Sequence, residues 1–233
     1  MTHEDLSEQL SVELEQEYSS RVEEIQKIEN FVGLNLNDDS DMAGLMRKSL
    51  VLILYAHFEG YCKQALQYYI IYINKEDIPI CNVKAGLVAA NLNVEFQKLF
   101  NTNYHPVTLT SLATDAALQQ HGRKREFISA YDNCINRQIG LKEDFISTES
   151  NLRPDILKKL LFQLELDSSA VDTYQGEIHR LVNVRNGFAH GERMTYPNKK
   201  EFDQYKEAAY STMTNIKLLV AEAFAQSAYL KAI

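Results

Sequence analysis

Tryptophan is absent from the 233 residues, and glycine and proline are scarce at nine and four. Long stretches contain neither, which favours helix over a turn-rich β architecture. The three cysteines, Cys62, Cys81 and Cys134, are far apart and odd in number, so they offer no CxxC pair, no zinc spacing and no paired disulfide framework. No apolar leader opens the chain and no run of eighteen apolar residues interrupts it. The expectation is a cytoplasmic protein with reduced thiols and no membrane contact. There is no P-loop, no GxGxxG after a strand and no paired acidic motif for a two-metal nuclease.

What is present is apolar bulk and an uneven charge. Apolar residues make up 45% of the chain, enough for a sizeable core. The net charge of −8 argues against a nucleic-acid partner until its distribution is read. Residues 1–44 hold twelve acids and two bases, whereas residues 45–233 hold twenty acids and twenty-two bases. The acidity belongs to an N-terminal segment, and the body is close to neutral with no long basic stripe. Nucleic-acid contact should therefore be local.

The pattern is helical throughout. Leu6, Leu10, Leu14, Tyr18, Val22, Ile25, Ile28 and Val32 recur at three- and four-residue steps, predicting an amphipathic helix over 4–32 stopped by Gly33 and the 35–41 cluster. Residues 42–74 form the most apolar segment and predict a helix buried on most sides. Residues 83–100 predict another. Two shorter helices, 108–120 and 126–139, should flank an exposed basic loop, His121-Gly-Arg-Lys-Arg125. Ser150 or Asn151 is suited to cap a helix opening at Pro154 and running to 166. Asp167 should open a second helix, 170–190, that Gly191 ends. Asn198 and Glu201 resemble a capping box for a final helix reaching Tyr229. The fold class is all-α, divided into an acidic arm, 1–41, and a helical domain, 42–233.

One hexapeptide concentrates the chemistry: Arg185-Asn186-Gly187-Phe188-Ala189-His190, closing the 170–190 helix. Histidine moves protons near neutral pH, and arginine binds phosphate with a planar, permanently charged fork. On a helix Arg185 and His190 stand about 140° apart, while Asn186 and His190 share a face. One copy is a sparse site. Two copies across a two-fold axis place two histidines and two arginines around one cleft, enough for a metal-independent attack of a 2′-hydroxyl on its own phosphate. Asn186 either orients His190, binds a phosphate oxygen, or is a local backbone hydrogen-bonder at the helix end.

Arg-Asn-x-x-Ala-His at the end of a long helix resembles the Arg-x4–6-His motif of the HEPN superfamily. The stretch Met46-Arg-Lys-Ser-Leu-Val-Leu-Ile-Leu-Tyr-Ala-His-Phe-Glu-Gly-Tyr-Cys-Lys63, the triplet Ser150-Asn151-Leu152 and His190-Gly191-Glu192 are similar to the MAE branch of that superfamily, covering roughly 42–225. The resemblance implies an all-helical HEPN-like bundle with an extra N-terminal helix. It also implies a homodimer and a metal-independent endoribonuclease acting as a toxin or phage-defence effector, alone or with an antitoxin or defence partner protein. It gives Arg185 and His190 the catalytic roles and Asn186 a supporting polar role. Glu59 becomes the acidic residue of the early helix that faces the motif. No cofactor is implied. Some HEPN toxins carry a tyrosine two residues after the histidine, where an antitoxin adds nucleotides; here Glu192 stands there.

The alternative is a non-catalytic helical module that binds nucleotide, RNA or a partner protein in the same pocket, which suits the acidic net charge. His57, Glu59 and Lys63 read on pattern as a buried, hydrogen-bonded set. His179 lies too far along its helix from His190 for joint metal ligation. Tyr68, Tyr69 and Tyr72 are expected in the core or at an interface.

Overall fold

A computed structural model describes residues 1–32, 40–107, 115–192 and 195–231. Among the described residues are eight α-helices: α1 His3–Val32, α2 Asp41–Lys75, α3 Ala85–Asn91, α4 Asn93–Phe100, α5 Ala116–Cys134, α6 Pro154–Gln163, α7 Gln175–Ala189 and α8 Lys199–Ala225. Among the described residues there is no strand, only isolated bridges at Pro79–Gln138 and Val83–Leu230. No described helix is long and apolar enough to cross a membrane.

The central element is α2. Ser40 opens it, its hydroxyl accepting from the Ala43 amide at 3.3 Å. Sixteen of its residues are buried, so it is covered from several sides rather than along one stripe. Leu6, Leu10, Leu14 and Ile25 dock α1 into the same core, and Phe202, Met213, Ile216, Val220 and Phe224 dock α8. Short α7 completes the group by burying Ile178, Leu181, Val182 and Phe188 against α2 and α8.

Caps set the helix ends around the motif. Asn198 and Glu201 form a reciprocal capping box at the start of α8, both bonds 2.9 Å long. At the end of α7, Gly191 adopts φ +73°. The Glu192 amide donates to the Gly187 carbonyl at 2.9 Å and the Gly191 amide to Phe188 at 3.2 Å. This is a Schellman closure, and its left-handed position suits glycine.

Several local expectations need correction. The segment 83–100 is two helices, α3 and α4, broken at Leu92 (φ −95°, ψ 14°). The basic segment 121–125 is not a loop but the interior of α5, where Gly122 and Arg123 are buried. Packing of Phe127 on Phe96, ring centroids 4.7 Å apart, draws that helix onto α4. A lone glycine costs a helix only about 1 kcal/mol. The part of the proposed helix over 108–114, and the stop at 33–39, lie outside the described residues. Asp167 caps only a 3-10 turn, Ser168–Val171, and α7 starts later, at Gln175. Arg153, not Ser150 or Asn151, is the N-cap residue of α6. The last helix ends at Ala225, where Ser227 takes φ +52° and turns Tyr229 back into the core against Phe224 and Tyr69.

Candidate active site

Along one stripe of α2 stand Gly44, Lys48, Tyr55 and Glu59, spaced in steps of four and seven residues. Each supports part of the motif region. A side chain at Gly44 would place its Cβ 2.5 Å from the Tyr196 ring, so glycine is needed for the segment after the motif to lie against α2. Arg47 fixes the same segment, its buried Nε donating to the Pro197 carbonyl at 2.6 Å. The Lys48 ammonium stands 5.2 Å over the Phe188 ring.

Tyr55 does two jobs. Its buried hydroxyl accepts from the Leu152 amide at 2.7 Å, which holds the loop before α6. Its ring carries the Arg185 guanidinium 4.5 Å from the centroid. Burial, and then the Glu59 carboxylate nearby, push the Tyr55 hydroxyl well above the usual phenol range, so it stays protonated. Half-buried Glu59 thus stands beside Tyr55, and Arg185 has no carboxylate within 4 Å among the described residues.

Arg185 is held by amides instead. Its Nη1 donates to Asn186 Oδ1 at 2.8 Å and to Asn151 Oδ1 at 3.1 Å. Asn151 is thus a site residue, a role that its reading as a helix cap missed. The signal available was the Ser-Asn-Leu triplet itself. The two residues before Asn151, Glu149 and Ser150, sit at φ +50° and +71°, a strained turn that presents the amide to α7.

His190 is the residue that caps the C-terminus of α7, exposed, with its backbone amide donating to the Asn186 carbonyl at 3.0 Å. Its ring makes no hydrogen bond to any described residue. Asn186 therefore joins the pair: its side chain takes Arg185 and its carbonyl takes His190. No hydrogen bond joins the two catalytic candidates among the described residues.

The other candidates disperse. His57 does not form a set with Glu59 and Lys63. It faces α1, with Nε2 3.7 Å from Glu24, because two residues along a helix separate the faces by about 160°. Lys63 is exposed; Tyr69 and Tyr72 are buried in the core and Tyr68 is half-buried. Among the described residues no three His, Cys, Asp or Glu side chains group so as to hold a metal ion.

A family model for the HEPN_MAE_28990-like HEPN domain matches residues 10–229, a span that takes in most of α1. No curated protein and no solved structure matches the chain. HEPN domains are typically RNases that bind RNA and often dimerise.

Proposed function

The chain belongs to the HEPN family, and from that premise we propose that it is a metal-independent endoribonuclease whose site is completed across a homodimer. The observation that carries this reading is the state of Arg185. Its position is fixed by two neutral amide oxygens and an aromatic face, and its charge is left for a substrate phosphate. His190 stands about one helical turn further on, exposed at the capped end of α7.

In this reading one imidazole takes the proton of a ribose 2′-hydroxyl. The oxygen attacks the adjacent phosphorus, and the bond to the 5′-oxygen breaks. The second imidazole, from the partner subunit, gives that oxygen its proton. The arginines stabilise the charge that builds on the phosphoryl oxygens. One copy of the motif supplies a single arginine and a single histidine, which is the reason to bring in a second copy. A toxin or defence role, restrained by a partner protein, fits such an activity.

The test is cleavage of single-stranded RNA in excess EDTA. The expected products end in 2′,3′-cyclic phosphate and a 5′-hydroxyl. Activity that vanishes on chelation, or a fully active monomer in sedimentation, contradicts the mechanism. A dimer that binds RNA and leaves it intact identifies a binding module. Growth arrest on expression, relieved by His190→Ala, would tie the activity to toxicity.

A further inference from the structure

The loop before α6 and helix α7 are laced together twice, in opposite directions. Arg185 of α7 reaches the loop at Asn151. Arg153 of the loop reaches α7, its Nη1 donating to Asn183 Oδ1 at 2.9 Å and lying 3.5 Å from His179 Nε2. Like Arg185, Arg153 is fixed by a neutral amide and has no carboxylate within 4 Å among the described residues. Nearby Arg180 is different: it pairs with Glu177 at 2.7 Å. An arginine held in place and left uncompensated is suited to an anion.

The partners of Arg153 share a face with the motif. His179, Asn183, Asn186 and His190 follow at steps of four, three and four, which confines them to a sector of about 60°. Each is exposed or half-exposed. The track from His179 to His190 runs about 16 Å at 1.5 Å per residue, longer than one phosphodiester needs.

We infer that Arg153, steadied by Asn183 and flanked by His179, binds a second phosphate of the RNA strand, so that the strand runs along α7 away from the scissile bond. Arg153 is a substrate-binding residue rather than a catalytic one. The inference rests on the ribonuclease reading of Arg185 and His190.

Substrate length tests it. Arg153→Ala and Arg153→Lys are compared with the full wild-type chain on a dinucleotide and on a ten-nucleotide RNA. Binding is measured in parallel with a ten-nucleotide 2′-O-methyl RNA that the mechanism cannot cleave. Arg153→Ala should bind the long strand about 10- to 100-fold more weakly, the loss of one charge-assisted contact. Its salt slope should fall by about one. The loss should appear in KM with kcat retained, the lysine variant should recover part of it, and the dinucleotide should be cleaved as by the wild type. An equal loss on the dinucleotide, or dissociation of the dimer by Arg153→Ala, would make Arg153 structural and overturn the inference. If the wild type binds the uncleavable strand without cutting any RNA, the ribonuclease reading fails while Arg153-dependent binding still upholds the subsite. If it binds no RNA, both fail.

Discussion

Two seams of this bundle both hold cationic side chains and wire them differently. Where α1 lies on α2 and α8, cations meet carboxylates. Lys206 binds Glu29 at 2.9 Å and Lys217 binds Glu15 at 2.7 Å. Where α7 lies on the loop before α6, the cations Arg185 and Arg153 meet asparagines. A carboxylate fixes an arginine and cancels its charge; an amide fixes it and leaves the charge in place. The first seam uses Glu15 and Glu29 of the N-terminal segment for docking. The second keeps two positive charges oriented toward an exposed helix face.

If that contrast is functional, substitutions at the α7 seam should cost rate and those at the α1 seam should cost stability. The largest effect belongs to His190→Ala, expected to slow RNA cleavage by about 10²–10⁴ through loss of a proton-transfer group. Thermal unfolding should barely move, since the Schellman closure uses backbone groups and the imidazole adds at most about 0.3–1 kcal/mol as a cap. Unfolding as severe as that of Phe188→Ala would make the histidine structural and break the contrast.

Next comes the converse at the α1 seam. Leu10 is fully buried in the core shared with α2 and α8. Leu10→Ala should destabilise by about 2–5 kcal/mol in denaturant unfolding. Cleavage by the folded fraction should be unchanged.

A third change converts one kind of wiring into the other. Asn151→Asp keeps shape and reach but puts a carboxylate on Arg185. Removing an oxyanion donor outright costs about 10²–10³ in rate, and neutralising one should cost less, about 10- to 100-fold. The melting temperature should stay level or rise. A variant as active as the wild type would show that Arg185 is positional only.

How much of this was legible in the sequence follows from how local each cause is. The long helices α1, α2 and α8, the Asn198–Glu201 box and the glycine stop at Gly191 all arise from neighbours within a few residues, and pattern reading finds them. Arg185, Asn186 and His190 were conspicuous for the same reason. The role of Asn151 depends on a side chain thirty-four positions away, and a capping residue type in a capping context hides it. Gly122 looked like a break because the contact that overrides it, Phe127 on Phe96, is tertiary. Arg153 was passed over as the residue before a proline.

Smaller is Glu29→Gln, which removes the carboxylate from Lys206 at a pair mostly shielded from solvent. Its expected cost is about 1 kcal/mol or less, seen in chemical denaturation with cleavage unaffected. A loss of cleavage without a loss of stability would show that the α1 seam also serves the site.

The smallest effect is a pH dependence with opposite signs at two histidines of the α1 seam. His57 is driven below its ordinary value of 6.5, mainly by burial, although the Glu24 carboxylate opposes this. Its Nδ1 is buried with no hydrogen-bond partner among the described residues. The folded protein therefore binds the His57 proton less readily than the unfolded chain does. That favours folding fully above 6.5, and the advantage is lost as pH falls toward the lowered folded value. His3 is raised, chiefly by its bond to Glu76 at 2.9 Å. Its contribution is full below 6.5 and is lost as pH rises through the folded value. Denaturant unfolding of His57→Gln and His3→Gln between pH 5 and 8 separates them. His57→Gln should flatten the acid side of the stability curve, and the deficit of His3→Gln should be greatest at pH 5 and shrink toward pH 8. If both variants parallel the wild type across the range, neither histidine is coupled to folding, and the carboxylates of α1 dock that helix without help from either imidazole.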